Sequence, residues 1–494
     1  MNNAAPQDGL NGAARYCALV VLIVNVIMTS LDGTIMNMAL PSVMKAMNAT
    51  AASSVWIISA YQLAALTLLL PAAGAGDRIG LRKVYLLGVA GFTIASAICG
   101  IAPNLGVLIL GRSIQGASAA GIMSCSNALV KLTYPKRLFG VGVSINAAVI
   151  AAASASGPSI AAAIMSVATW HWLFIINLPA GVFVVIMGSK FLPRNRMDVR
   201  REPVKITDVL LNMATFGLIL VALQSFGQGA SAVKEQIPAN VALAMLVSGL
   251  IVGIVYWRRQ LGLSMPLLPI DLLRIPIFRL SMCTSVTSFV SQTAAFVALP
   301  FLFLGIWGYS PARAGLLMAC WPVTVVVVAP IVGRLIGRVP GGLLGGIGLA
   351  ILAVGLALLA TLPEHPDAIA IAWRMSLCGM GFGIFQSPNN HTIMTSGPAY
   401  RNGAAGGMLG TARLTGQTLG AAMLMLIFSV LPVNTGRGPV VALDLSAGMA
   451  AVAGIFSSLR LRYAPRTDAD IASTHQYFED VEPPTSGNAC RIDS

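Results

Sequence analysis

Apolar segments long enough to cross a lipid bilayer recur along nearly the whole chain, and no other feature of the sequence restricts its fold as strongly. A spanning helix takes about 20 apolar residues, and fourteen such segments can be placed. Charged residues make up only 10% of the chain, against roughly 25% in a soluble domain. The sequence therefore predicts an all-α protein with 14 transmembrane helices, surrounded by the lipid bilayer.

Two landmarks indicate an internal repeat. The stretch "AAGAGDRIGLRK" follows the second predicted span and "PIVGRLIGRVP" follows the tenth, so that Gly337 lies 260 residues after Asp77. Arg112 in the fourth span and Arg374 in the twelfth lie 262 residues apart. The similar offsets predict two six-helix bundles that face each other across a central path, with two further helices inserted between them.

These features divide the chain into five predicted regions. They are a cytoplasmic amino-terminal tail (1–16), an amino-terminal six-helix bundle (17–191), a linker with two inserted transmembrane helices (192–278), a carboxyl-terminal six-helix bundle (279–459) and a disordered cytoplasmic tail (460–494). Lys and Arg are concentrated in alternate loops, and such loops lie on the cytoplasmic side. We therefore expect a multi-pass protein of the inner membrane with both termini in the cytoplasm.

The formal net charge of +14 does not indicate a nucleic-acid partner, because the basic residues lie between spans rather than on one soluble face. The 7 cysteines and 4 histidines are scattered without the spacing of metal ligands or of a disulfide framework. The sequence also lacks a glycine loop of the P-loop type. We therefore predict no metal site, no cofactor and no nucleic-acid partner.

Asp32 stands alone as an acid deep within the first predicted span, in "VNVIMTSLDGTIMNMALP". A carboxylate at the centre of a helix costs about 2.5 to 3.5 kcal/mol on insertion scales, so such residues usually face a partner or a pathway. Asp32 lies about 12 Å from the outer end of its span and Arg112 about 9 Å from the outer end of the fourth. The two side chains are predicted to be neighbours that bind and release a proton. A static ion pair that joins two helices is the alternative.

Several motifs occur in the order and spacing of one known family. They are "LDGTIMNMALP" and "WIISAYQL" in the first two spans, "GDRIGLRKV" in the loop after them, "LILGRSIQGASAA" in the fourth span, "ASASGPSIAA" in the fifth, and "WHWLFIINLPAG", "GYSPARAGL" and "FQSPNNHTIM" further on. The chain resembles the major facilitator superfamily and, within it, the 14-span drug:proton antiporters. It is similar to the bacterial quaternary-ammonium and methyl viologen resistance exporters.

The resemblance implies roles for particular residues. Asp32 would hold substrate and proton in alternation, and Arg112 would be its proton-relay partner. The residues of the implied cytoplasmic gate are Asp77, Arg78, Gly80, Arg82 and Lys83; a solvated charge cluster is the alternative. Gly157 and Pro158 would form the antiporter motif of the fifth span, where an ordinary proline kink is the other interpretation.

Three positions of the two gate motifs depart from the family pattern. Ala73 stands where the gate motif usually begins with glycine, and Leu81 replaces one of its cations. Gly337 stands where the second half would carry an aspartate, so a second gate lock is not expected.

Further residues are candidates for lining an adaptable apolar cavity, although plain packing is the commoner use of such side chains. They are Trp56, Tyr61, Gln115, Phe382, Phe385 and Gln386. Three charged residues in spans have no assigned role. Arg374 begins its helix and can extend outward to the interface, Arg413 lies deeper in its span, and Asp444 lies near the outer end of the last span.

The sequence as a whole predicts a monomeric, proton-coupled efflux antiporter that exports lipophilic, often cationic compounds such as quaternary ammonium ions, viologens and dyes. The alternative is a carrier of the same superfamily that is specific for one metabolite or antibiotic. An enzyme is not expected, although "GAGD" around Asp77 matches a motif of intramembrane aspartyl proteases. Those enzymes need two facing acids, and Asp32 is predicted to lie far from Asp77.

Overall fold

The computed structural model describes most of the chain. It covers residues 10, 12–134, 149, 153, 156–157, 159–193, 205–226, 238–261, 269–336, 338–363, 366–397, 402–431, 433 and 435–463. These residues form helices and short connections, and they include no strand. The all-α prediction is confirmed.

The helices are labelled in chain order. They are α1 (Gly12–Ala46), α2 (Ala51–Ile79), α3 (Leu81–Gly100), α4 (Leu105–Thr133), α5 (159–167), α6 (Trp172–Ile175), α7 (Asn177–Phe191), α8 (Ile206–Phe226), α9 (Ala239–Leu261), α10 (Ile270–Leu273), α11 (Pro276–Pro300), α12 (Pro311–Leu335), α13 (Gly341–Ala360), α14 (Ala368–Thr395), α15 (Asn402–Val430) and α16 (Arg437–Leu459). A π-helical turn, Phe301–Ile306, extends α11.

Thirteen helical spans in the described residues are long and apolar enough to cross a membrane. Most of the predicted fifth span, 139–165, lies outside the described residues, and α5 covers only its end. The first span is longer than predicted, since α1 runs from Gly12 to Ala46 rather than from 17 to 39. Helices continue beyond the apolar stretch that crosses the lipid, so hydropathy alone underestimates their length.

Short capped turns join the spans. The Thr50 side chain accepts a hydrogen bond from the Ser53 backbone N–H at 3.1 Å and so fixes the start of α2. Asn104 does the same for α4, at 3.0 Å from the Val107 N–H. Between α2 and α3 the turn is Gly80 alone, with φ of +106°, a conformation that favours glycine. We call the membrane side on which α1 begins the near side and the side on which it ends the far side.

The two halves repeat the same close helix contacts. A Cβ on Gly116 of α4 would overlap the carbonyl oxygen of Tyr61 in α2, and a Cβ on Gly379 of α14 would overlap the carbonyl oxygen of Trp321 in α12. Tyr61 and Trp321 are 260 residues apart, in agreement with the offset of the sequence landmarks. Small residues at these crossings let neighbouring backbones touch, which is how helices associate in lipid.

The inserted helices α8 and α9 form a hairpin on the outside of the two bundles. Asp208 at the start of α8 pairs with Arg259 near the end of α9. The Asn212 side-chain amide donates to the Thr67 carbonyl of α2 at 3.0 Å. Because α8 packs against both α2 and α15, it contacts one helix of each half.

The halves touch on both sides of the level of Asp32. Towards the far side, one apolar cluster joins Leu40 and Val43 of α1 to Phe301 and Phe303 at the end of α11. Towards the near side, α2 packs against α15, where a Cβ on Gly410 would contact the side chain of Leu69. The described residues of the two halves therefore touch towards both membrane sides.

The carboxyl-terminal boundary differs from the prediction at one residue. Arg460, which the sequence assigned to the start of a disordered cytoplasmic tail, is buried in a 3₁₀ turn at the end of α16. Its guanidinium donates to Ser281 Oγ of α11 at 3.1 Å and to Asn389 Oδ1 of α14 at 2.9 Å. Polar side chains on neighbouring helices can thus hold a cation that hydropathy places in solvent. Residues 464–494 lie outside the described residues.

Candidate functional site

Asp32 and Arg112 form an ion pair in the interior of the amino-terminal half. Arg112 Nη1 lies 2.6 Å from Asp32 Oδ2, and each side chain is only 2% exposed. The predicted depths of the two residues are therefore compatible with direct contact between α1 and α4. A pair this well shielded from water is screened much less than one at a surface.

The second carboxylate oxygen of Asp32 also accepts hydrogen bonds. Asp32 Oδ1 accepts from Gln115 Nε2 at 2.9 Å and from Asn177 Nδ2 at 3.1 Å. Gln115 in turn accepts from Arg112 Nη1 at 2.6 Å and donates to Ser96 Oγ at 2.9 Å. Asp32 thus acts as an acceptor in every contact, which suits a carboxylate. A protonated carboxyl would have to give up one of these contacts to place its own proton.

Arg112 makes further contacts in addition to its ion pair with Asp32. Its Nε donates to the Ile57 carbonyl of α2 at 3.1 Å. The guanidinium carbon lies 4.4 Å from the centre of the Tyr61 ring and 5.9 Å from that of Phe174, within the range of cation–π attraction. The tight crossing at Gly116 brings Tyr61 to this position. If Asp32 lost its charge, Arg112 would still be fixed on α2.

Gly157 of the antiporter motif packs against α1 at the level of this site. A Cβ on Gly157 would overlap the hydroxyl of Thr34, two residues after Asp32 on α1. The glycine therefore permits the fifth span to approach α1 closely, on a face of α1 that differs from the face of Asp32. Pro158 lies outside the described residues.

The implied gate motif lies at the turn between α2 and α3. Asp77 and Arg78 belong to the last turn of α2, and their side chains lie outside the described part of the structure. Arg82 and Lys83 lie in the first turn of α3, and Lys83 is exposed. Gly80 supplies the sharp turn between the helices. The roles of these residues in gating stay predictions.

The gate departures lie close by. Ala73 lies in α2, and Leu81 packs against the amino-terminal apolar core. Gly337 lies outside the described residues.

The six cavity candidates are not gathered around one space. Trp56 lines a cavity of about 410 Å³ between α2, α4 and α8. Tyr61 and Gln115 instead contact Arg112. The remaining three candidates lie on α14. Phe382 and Phe385 are buried with ring centres 5.8 Å apart, and Gln386 is partly buried.

The three charges without an assigned role occupy different environments. Arg374 donates to the Ala370 carbonyl of its own helix at 2.8 Å. Asp444 is exposed on α16, which fits an acid in contact with interfacial water. Arg413 is partly buried in the middle of α15 and interacts electrostatically with Tyr61.

Asn177 and Ser96 are partners of the site that the sequence did not identify. Asn177 stands in "WHWLFIINLPAG", where an amide among apolar residues was the available signal. Ser96 gave no signal, because serine is common in tightly packed spans.

Comparison with known proteins supports the architecture. A structure of a POT family transporter in complex with 5-aminolevulinic acid covers 92% of this chain and 98% of its own, with a TM-score of 0.68 and 15% sequence identity. A similarity at this identity concerns the fold alone. Together with the repeated helix contacts, it supports the helical architecture described above.

The family follows from the sequence comparison. The sequence model of the Major Facilitator Superfamily matches residues 22–421, and the chain belongs to this superfamily of carriers.

Among its relatives, the uncharacterized transporter YebQ of Escherichia coli strain K12 is 45% identical over 94% of this chain and 99% of its own length. The riboflavin transporter RibZ of Clostridioides difficile is 28% identical over 84% of this chain and 88% of its own length. The multidrug efflux pump LfrA of Mycolicibacterium smegmatis is 27% identical over 86% of this chain and 83% of its own length.

Proposed function

We propose that the protein is a proton-coupled antiporter that exports lipophilic, often cationic compounds by alternating access. One observation carries the proposal: Asp32, the acid at the centre of the amino-terminal half, is paired with Arg112 away from both water and lipid. Ionisable groups retained inside a membrane commonly serve ion or substrate pathways. The name of the relative LfrA, a multidrug efflux pump, agrees with this direction of transport.

The coupling step is exchange at Asp32. As a carboxylate, Asp32 ties α1 to α4 through Arg112 and to α7 through Asn177. A proton on Asp32 removes the attraction to Arg112 and so weakens the connection between these helices. Because a cationic compound and a proton favour the same carboxylate, binding of one promotes release of the other. A membrane potential supplies about 2.3 kcal/mol for each charge moved through 100 mV.

In the same proposal the near side is cytoplasmic, as the loop cations predict, and the protein works as a monomer in the inner membrane. The gate motif around Gly80 then controls access from the cytoplasm. Its position at the end of α2 supports this role, because α2 also contacts α15 of the other half. Separation of α2 from α15 would open the near side, and separation of α1 from the end of α11 would open the far side.

Ethidium efflux from vesicles with an imposed proton gradient tests the proposal. Asp32→Asn is isosteric and keeps hydrogen-bonding atoms, so we expect a folded protein that has lost gradient-driven efflux. Asp444→Asn is the matched control, because it removes an exposed acid from another span, and it should transport normally. Wild-type efflux by Asp32→Asn would exclude coupling at this residue.

A carrier specific for one metabolite is the second candidate. It is supported by the similarity to RibZ, which is named a riboflavin transporter. Competition separates the two: a broad exporter is inhibited by several unrelated lipophilic compounds, whereas a specific carrier is inhibited by one chemical class.

A further inference from the structure

Arg413 is a cation in the middle of a membrane span without a carboxylate partner in the described part of the chain. The ion pairs found among the described residues are Asp32–Arg112 and Asp208–Arg259. Arg413 Nε is buried and has no hydrogen-bond partner there. Unpaired cations within a span are costly and mark substrate or ion pathways more often than packing.

The face of α15 that carries Arg413 points between the two halves. Successive residues of a helix are about 100° apart around its axis. Gly410 and Leu414 lie on the side of α15 that packs against α2. Gly416 and Gly420 lie on the side that packs against α11. Arg413 falls between these two directions, and α2 and α11 belong to opposite halves.

The lipid-facing side of α15 lies elsewhere. Leu426 and Val430 are exposed, at 49% and 72%. Their direction is more than a quarter turn away from that of Arg413. Extension of the guanidinium into the surrounding lipid is therefore not the reason for its position.

Tyr61 contacts Arg112 of the coupling pair and also lies near Arg413. Its ring stacks on Arg112 at 4.4 Å, and it lies within electrostatic range of both Asp32 and Arg413. A compound bound between the halves at this level would meet Tyr61 and Arg413 together. The tyrosine hydroxyl and the guanidinium are both hydrogen-bond donors, and arginine binds carboxylates in a fixed planar geometry.

We propose that Arg413, assisted by Tyr61, binds an acidic group of the transported compound. This inference rests on the proposed export function and narrows its substrate class. The preferred compound has a lipophilic body and carries an acidic group in addition to any cationic group. Asp32 keeps its role in proton exchange, while Arg413 supplies the specificity of the carboxyl-terminal half.

Rhodamine B and its ethyl ester provide a matched pair of probes, because they share a lipophilic cationic ring system and differ at one carboxylate. Binding is measured by fluorescence anisotropy with purified full-length protein in detergent, without a proton gradient. The wild type should bind rhodamine B about tenfold or more tightly than the ester, which is the typical effect of one charged hydrogen bond. Equal affinity for both probes, or no binding of either, would overturn the proposal.

Variants separate recognition from folding. Arg413→Gln should lose the preference for the acid and keep the affinity for the ester, Arg413→Lys should keep part of the preference, and Tyr61→Phe should reduce it. The matched control is Arg374→Gln, because Arg374 is bound to its own helix, and it should keep the full preference. An equal loss for both probes in Arg413→Gln would indicate a structural role and contradict the proposal.

The outcome is distinguishable from failure of the export function. The binding assay involves neither transport nor a gradient. Normal efflux by Asp32→Asn would therefore refute proton coupling without affecting the acid preference.

Discussion

The two halves share a helix arrangement but differ in how they hold charge. In the amino-terminal half, the cation Arg112 is neutralised by Asp32. In the carboxyl-terminal half, Arg374, Arg413 and Arg460 lie within or at the end of spans, and none has an acid partner among the described residues. In the proposals above, proton exchange takes place in the amino-terminal half and recognition of an acidic group in the carboxyl-terminal half.

Loss of Arg112 should have the largest effect on stability. Arg112→Gln leaves the Asp32 carboxylate buried without its cation, which costs about 3 to 5 kcal/mol. We expect a large decrease in the thermal unfolding midpoint of the purified protein in detergent. The double variant with Asp32→Asn should recover part of the loss, because neither charge remains. An unchanged midpoint in the single variant would show that the pair does not behave as one unit.

Loss of Arg460 should have a smaller effect. Its partners are neutral, so Arg460→Gln breaks hydrogen bonds without exposing an opposite charge, at a cost of about 1.5 to 3 kcal/mol. Arg462→Gln, at an exposed position two residues away, is the control and should unfold like the wild type. The comparison between the halves fails if Arg460→Gln destabilises the protein more than Arg112→Gln.

The smallest expected effects concern two glycines that pack against the first helix of each half, α1 and α11. Gly157→Ala forces a methyl group onto Thr34, two residues after Asp32 on α1, whereas Gly420→Ala crowds Val290 and Thr293 of α11. Both should cost about 1 to 3 kcal/mol through overpacking. Only Gly157→Ala should also slow proton-driven ethidium efflux, because it displaces α1 near Asp32.

A neighbouring glycine supplies the control for this comparison. Gly33 has no atom within 4 Å of an added Cβ, so Gly33→Ala should be tolerated. Equal efflux by the Gly157→Ala and Gly420→Ala variants would remove the functional distinction between the halves.

Much of this arrangement could be predicted from the sequence, for physical reasons that apply residue by residue. A lone acid in an apolar span needs a partner, and the similar predicted depths of Asp32 and Arg112 identified the two residues as neighbours. The repeat followed from two pairs of sequence landmarks, and the contacts at Gly116 and Gly379 recur at a similar offset.

Other features could not be predicted, because they depend on helix rotation. Asn177 reaches Asp32 only because α7 turns that face inward. Arg460 was assigned to solvent because it follows the end of the last predicted span, and its burial depends on Asn389 and Ser281 from distant helices. The Trp56 cavity requires α8, whose docking site on α2 has no simple sequence signature.

Proton release on binding tests the central claim most directly. Purified protein in weakly buffered detergent solution is mixed with ethidium, and the released protons are measured with a pH indicator. The wild type should release protons in proportion to the ethidium bound, and Asp32→Asn should bind ethidium without releasing them. Equal proton release by the wild type and by Asp32→Asn would contradict the account.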